Sequence, residues 1–174
     1  RALVIAPTRE LVMQIESDAI ELARHAGIKV VSLIGGADYQ KQLNQIGKSL
    51  VDLVVATPGR LIDFITRKDL FLDRVEILVL DEADRMLDLG FIPQVKRIIR
   101  STPRKDFRQT LLFSATFNRD ILNLANQWTV EPVTIDVKPE DVATRSVDQK
   151  VYLVSSEERY RLLSNLIKSP DVIS

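Results

Sequence analysis

The sequence predicts an α/β fold, a doubly wound parallel sheet with helices on both faces, and three observations carry that expectation. Short β-branched and aliphatic runs alternate along the chain with longer stretches of helical period. The runs are apolar throughout and do not alternate with polar residues, as strands buried between two layers must be. Polar and glycine-containing motifs follow the runs directly, where loops on the carboxyl edge of a parallel sheet would lie.

Taken in order, Ala2 to Ala6 is the first strand, and the clearest helix follows it. Leu11, Ile15, Ala19, Leu22 and Ala26 recur at spacings of three and four, with Thr8 as N-cap and Gly27 where a left-handed C-cap belongs. Lys29 to Ile34 is the second strand, with a helix from about Asp38 to Lys48. Asp52 to Ala56 is the third, and its helix, Pro58 to about Lys68, opens on a threonine–proline pair suited to N-cap and N1. Val75 to Leu80 precedes a helix from about Phe91 to Arg100, Thr110 to Phe113 precedes one from Asn118 to Gln127, and Val133 to Ile135 is the last strand of the set.

From Asp136 the chain becomes polar, carries Pro139 and loses both periods, which predicts an interdomain linker over residues 138–148. Gln149 to Val154 then reads as one strand and Glu157 to Lys168 as one helix with Leu162, Leu163, Leu166 and Ile167 as its stripe. A lone strand and helix cannot close a core, so residues 149–174 are expected to open a second domain after a first domain over 1–137. The chain begins on Arg1 and enters strand-like sequence at once, so a piece of a longer polypeptide is expected.

Composition narrows the chemistry. The 174 residues are 45% hydrophobic and 28% charged, which suits a globular domain and excludes disorder. Lys and Arg number 24 against 24 Asp and Glu, so no global basic field announces nucleic acid and any such site must be local. With no cysteine there is no disulfide framework, thiolate metal site or cysteine nucleophile, and one histidine disfavours a His-based zinc site or a Ser-His triad. No apolar run approaches the roughly 18 residues of a membrane span. A cytoplasmic protein without membrane contact is expected.

The strongest local signal is the run Val75 to Leu80 followed by Asp81-Glu82-Ala83-Asp84. A buried strand that ends in two adjacent carboxylates delivers them where open α/β sheets bind ligands. One carboxylate can hold Mg²⁺ through its water shell while its neighbour orients or deprotonates an attacking water. Successive side chains on a strand point oppositely, so this division of labour requires the chain to turn at Glu82. A helix N-terminus decorated with acids is the plainer alternative.

Thr57-Pro58-Gly59-Arg60 follows the third strand; beyond capping, free N–H groups, a glycine and a nearby arginine there make a phosphate site. Pro7-Thr8-Arg9-Glu10 repeats the design after the first strand, Gly35-Gly36 follows the second, and Ser114-Ala115-Thr116 closes the fifth. Each alone is explained by a cap or turn; their shared position after strands is not. Ile46-Gly47-Lys48-Ser49 imitates a phosphate-binding loop but lacks its first glycine and ends a helix. His25, Trp128 and Phe91 read as surface or packing residues. The basic cluster Lys96, Arg97, Arg100, Arg104, Lys105 and Arg108 is either a solvated face or an aid to RNA or a partner.

Together, Pro7-Thr8-Arg9-Glu10-Leu11, Gly35-Gly36, Thr57-Pro58-Gly59-Arg60, Asp81-Glu82-Ala83-Asp84 and Ser114-Ala115-Thr116, in this order, resemble the first RecA-like domain of DEAD-box ATP-dependent RNA helicases. The likeness spans residues 1 to about 137 and is greatest to the bacterial RNA helicase B type associated with RNA degradosomes. It implies an RNA-stimulated ATPase that locally unwinds short duplexes, with ATP and Mg²⁺ as cofactors, single-stranded or short duplex RNA as partner, and RNA-degradation proteins as further partners. Asp81 would coordinate Mg²⁺ through water, Glu82 would activate the hydrolytic water, and Asp84 would link this motif to Ser114, Thr116 and a second domain. Thr8, Arg9, Gly36, Thr57, Gly59 and Arg60 would grip the RNA backbone.

These residues lack the family's adenine-reading glutamine segment, its phosphate-binding loop and nearly all of its second domain, so they are expected to be inactive alone. Two other readings compete: a degenerate helicase domain that only binds RNA or protein, and an unrelated doubly wound phosphoacceptor or nucleotide-binding domain using Asp81. The second predicts no RNA affinity and leaves Thr57 to Arg60 unexplained.

Overall fold

The computed structural model describes residues 1–47, 50–137 and 151–168. Two units can be distinguished, Arg1–Val133 and Thr134–Ser174.

The first unit is built on a five-stranded parallel sheet: β1 (Ala2–Ile5), β2 (Val30–Leu33), β3 (Leu53–Ala56), β4 (Ile77–Leu80) and β5 (Gln109–Leu112), in the order β2-β3-β1-β4-β5. The connecting helices are α1 (Arg9–Ala23), α2 (Tyr39–Gly47), α3 (Pro58–Thr66), α4 (Ala83–Asp88), α5 (Ile92–Arg100) and α6 (Arg119–Trp128). A right-handed crossover fixes which face each helix covers. The steps β2 to β3, β3 to β4 and β4 to β5 all move one way across the sheet, and α2, α3, α4 and α5 pack with α6 into one core around Leu3, Ile5, Leu78, Leu80 and Phe64. Only the step β1 to β2 moves the other way. Its helix α1 lies on the opposite face, where Val12, Leu11 and Ile15 meet Val4, Ala6 and Val55.

Helices on both faces and a wholly parallel sheet agree with expectation, though the two layers are unequal. Over β4, Ile77 stays 40% exposed. The two sheet edges also differ. The outward N–H groups of β2 and the residue after it donate to side chains, Ser32 to Glu16 (3.0 Å) and Ile34 to Gln42 (3.0 Å), so that edge is blocked. Among the described residues no strand pairs with the outer side of β5.

The element boundaries fall within a few residues of those read from sequence, with two corrections. Val133 to Ile135 forms no strand: among the described residues no neighbour pairs with it, and Val133 and Ile135 stand largely in solvent. Apolar side chains alone cannot make a strand without a ladder. In the second unit the linker over 138–148 and residues Gln149 and Lys150 lie outside the described residues, and residues 151–154 form no strand. The helix α7 (Arg159–Ile167) is present, preceded by a turn in which the Ser155 hydroxyl donates to Glu158 Oε2 (2.8 Å). Lys48 and Ser49 also lie outside the described residues, while Gly47 ends α2, as the rejection of a phosphate loop there requires.

Candidate functional site at the carboxyl edge of the sheet

Strands β2, β3 and β1 occupy one side of the sheet and β4 and β5 the other, so the loops after β1, β2 and β3 gather on one side of the carboxyl edge and those after β4 and β5 on the other. The five motifs lie on this edge.

On the first side, Thr8 caps α1, its Oγ1 accepting from the Leu11 N–H (3.3 Å). Arg9 follows on the exposed first turn and reaches over the β2 loop. A Cβ on Gly36 would lie 2.6 Å from Arg9 Nη1, which the exposed arginine could relieve by swinging away, whereas the φ of +77 at Gly36 favours glycine in this turn. The arginine and the glycine doublet thus form one surface. Arg9 has no hydrogen bond or ion pair among the described residues.

Thr57 caps α3 differently. Its N–H donates to Leu33 O (3.0 Å) and its side chain makes no capping bond. The α3 N-terminus therefore keeps unfilled N–H groups beside Gly59, which an anion can accept from.

Arg60 does not project from this surface as a free cation. Its Nη2 donates to Ala37 O (3.0 Å), its Nε lies 4.0 Å from Asp63 Oδ2, and its guanidinium is 5.6 Å from the centre of the Tyr39 ring. Only 11% of the side chain is exposed. It ties the Gly35–Gly36 loop to α3 from below.

Two residues that sequence reasoning missed complete this bracing. Tyr39 stacks on Phe64 with ring centres 4.4 Å apart and donates its hydroxyl to Asp69 Oδ2 (2.5 Å). Burial, reinforced by Asp69, raises the phenol's pKa and keeps it a neutral donor. Buried Gln42 accepts from Ile34 N–H and donates to Ile34 O (3.2 Å), fixing the start of the glycine loop. The available signal was a glutamine on the stripe otherwise made by Tyr39, Leu43 and Ile46.

On the second side, Asp81 follows β4, its N–H donating to Ile5 O (3.0 Å). One carboxylate oxygen accepts from the Glu82 N–H (2.9 Å), and the other has no protein donor among the described residues. Glu82 has φ 49 and ψ 52, a left-handed conformation unfavourable for a residue with a Cβ. This is the turn that the sequence argument required for the two carboxylates to act separately. Glu82 Oε2 lies 3.5 Å from Arg85 Nη1, close enough for an ion pair but without hydrogen-bond geometry.

Asp84 lies in the first turn of α4, a short helix not expected from sequence. Its Oδ2 accepts from both the backbone N–H (3.1 Å) and the hydroxyl (3.2 Å) of Thr116, and its Oδ1 accepts from the Arg85 N–H (3.0 Å). Ser114 Oγ in turn donates to Thr116 O (2.8 Å). Backbone bonds Phe113 N–H to Leu80 O (2.8 Å) and Ala83 N–H to Phe113 O (3.0 Å) prolong the β4–β5 contact into the loops. Asp84, Ser114 and Thr116 are thus brought together across 32 residues of sequence.

The basic cluster separates in the structure. Arg104 pairs with Asp106, Lys105 donates to Asn126 O and Thr129 O, and Arg108 is buried, donating to Thr102, Pro103 and Thr110, with its pKa lowered by desolvation. These three hold the loop before β5, which corrects the reading of the cluster as one solvated or RNA-facing surface. Trp128 is buried in the core and Phe91 packs against it, as expected of packing residues.

The DEAD/DEAH box helicase family model matches residues 1–124. The chain is 57% identical over 167 residues to the ATP-dependent RNA helicase RhlB of Pseudomonas aeruginosa, covering 96% of this chain and 42% of that protein. It is 44% identical over 168 residues to the protein of the same name from Xanthomonas axonopodis pv. citri, covering 96% of this chain and 29% of that one. Among solved structures, a hypothetical ATP-dependent RNA helicase from Sulfolobus tokodaii superposes with a TM-score of 0.68 at 37% identity, over 75% of this chain and 38% of that one. The chain therefore spans well under half the length of these relatives. With the parallel sheet and the five motifs on its carboxyl edge, these matches show that the chain belongs to the DEAD/DEAH box helicase family.

Proposed function

We propose that this chain forms part of an RNA-stimulated ATPase that locally unwinds short RNA duplexes. In this reading residues 1–137 are the first helicase domain, 138–148 the linker and 149–174 the start of the second. The observation that carries the proposal is the Asp81–Glu82 pair at a strand end, split by a left-handed residue and joined through Asp84 to Thr116.

The acidic side fits a hydrated cation. Among the described residues no three Asp, Glu, His or Cys side chains converge on a metal site, whereas Mg²⁺ in phosphate chemistry keeps its waters and needs only one or two carboxylates. Asp81, with one oxygen fixed by the Glu82 N–H and the other without a donor, would hold it through water. When bound with ATP, Mg²⁺ would neutralise charge on the phosphates. Glu82 would orient the attacking water and accept its proton. Asp84, Thr116 and Ser114 would transmit the state of this acidic loop to the second domain.

The other side would hold the RNA backbone. Thr8 fixes the loop, Arg9 supplies a cation over Gly36, and Thr57 and Gly59 present the α3 N-terminus. Backbone contacts of this kind carry little sequence preference. Arg60 supports this surface through Ala37. Cytoplasmic location and association with RNA-degradation proteins complete the reading; no described helix is long and apolar enough to cross a membrane.

The test is phosphate release from ATP by the full-length protein with and without single-stranded RNA, with Glu82→Gln as control. RNA-stimulated release that disappears in the variant is expected. RNA binding without hydrolysis would show a binding module and overturn the enzymatic reading.

A further inference from the structure

Three cations of the basic cluster remain after the internal bonds are assigned. Lys96, Arg97 and Arg100 are exposed on α5, and no acid pairs with any of them among the described residues. Residues one, three and four apart on a helix cover one face, and Arg97 and Arg100 lie about 5 Å apart along the axis. Arg97 is oriented by α3, its Nη2 donating to Thr66 Oγ1 (2.9 Å).

This stripe adjoins the proposed RNA surface. A cleft of about 430 Å³ lies between α3 and α5, lined by Gly59, Ile62, Asp63, Pro93, Gln94 and Arg97. Gly59 belongs to the α3 N-terminus and Arg97 to the stripe, so the cleft joins them. It is an open groove on the surface, a shape that suits an extended backbone. Its one acid, Asp63, sits 4.0 Å from Arg60, and no ion pair joins it to Arg97 among the described residues.

We infer that the α3–α5 cleft and the Lys96–Arg97–Arg100 face extend the RNA track, taking the sugar-phosphate backbone of nucleotides that flank those held at Thr57 and Gly59. The inference rests on the proposed RNA binding. Charge complementarity and the shared cleft favour RNA over an acidic protein segment, because the stripe continues a surface already suited to phosphates.

The experiment measures affinity of the full-length protein for single-stranded oligoribonucleotides of increasing length across a salt series. The variants are Lys96→Gln/Arg97→Gln/Arg100→Gln, and Lys96→Gln/Arg100→Gln, which keeps the Arg97 bond to Thr66 and guards against misfolding. Wild type is expected to gain affinity with length beyond the shortest bound oligonucleotide. The triple variant should bind that shortest RNA unchanged, lose about tenfold on longer ones, and show a log–log salt slope lower by about 2, given about 0.7 per single-strand phosphate contact. Equal affinity and slope in wild type and both variants would overturn the extension while leaving RNA binding intact. Loss of affinity for a polyglutamate peptide alone would overturn it in favour of protein docking. No RNA affinity in wild type would instead refute the function proposed above.

Discussion

The two sides of the carboxyl edge are built from the same sheet and differ in what their loops offer. After β1, β2 and β3 the loops present N–H groups, a glycine doublet and Arg9, held from beneath by Gln42, Tyr39 and Arg60. After β4 and β5 they present carboxylates and hydroxyls, held by a left-handed residue and by side chains bonding across the loops. In the proposed function one side would take an anionic polymer and the other a cation and a water. The separation follows from strand order, since β2, β3 and β1 lie side by side on one side of the sheet and β4 and β5 on the other. The N–H side rests on buried packing as well as hydrogen bonds, whereas the acidic side is joined by polar bonds between its loops, so different substitutions should damage each.

The largest separation is expected from Glu82→Gln. It keeps size and backbone while removing the proposed proton acceptor, so RNA-stimulated hydrolysis should fall by about 10²–10⁴. RNA affinity, measured by fluorescence anisotropy, should stay unchanged. An equal loss of both would break the division between the two sides.

Phe64→Ala tests the packing beneath the N–H side. Phe64 is fully buried and carries the Tyr39 ring, so its truncation should cost about 3–5 kcal/mol in urea unfolding. Damage to RNA binding in the molecules that remain folded should exceed damage to nucleotide binding.

Gly36→Ala should have a smaller effect, about 1–3 kcal/mol, from the positive φ, and it should displace the Arg9 guanidinium that lies over this glycine. Comparison of Arg9→Ala with Arg60→Ala sharpens the same point. Arg9→Ala should lower the salt slope of RNA binding, because it removes an unpaired cation. Arg60→Ala should lower affinity and stability with the slope nearly kept, because its guanidinium already holds Ala37 O.

Much of this was legible in the sequence for physical reasons. Strands apolar on both faces and helices with a 3.6 period are properties of local sequence, and the motifs after them inherit their place from the strand ends. The pairing of Thr116 with Asp84 could be anticipated only from the family resemblance, since nothing local in either segment records a bond across the chain. The inward fold of Arg60 and the separation of the basic cluster were not legible: whether a cation is free depends on carbonyls and rings contributed by distant segments, Ala37 and Tyr39 for one, Asn126 and Thr129 for the other. Val133 to Ile135 misled because strand propensity measures a fit to a ladder and cannot show that a neighbour is present.

The smallest effect concerns two threonines that the sequence presents as equivalent caps. Thr8 Oγ1 accepts from Leu11 N–H at 3.3 Å, whereas Thr57 Oγ1 makes no capping bond and only approaches Leu33 O at 3.5 Å, the limit of a hydrogen bond. Valine keeps the shape of each side chain and removes its hydroxyl. Thr8→Val should therefore cost about 1 kcal/mol, the usual value for a lost N-cap. Thr57→Val should cost about half of that or less, since a bond at that length contributes little. RNA affinity should move in the opposite order, because the Thr57 hydroxyl is not committed to its own helix. Equal stability losses would mean that both hydroxyls cap in solution; a larger RNA defect in Thr8→Val would assign backbone contact to α1 instead of α3.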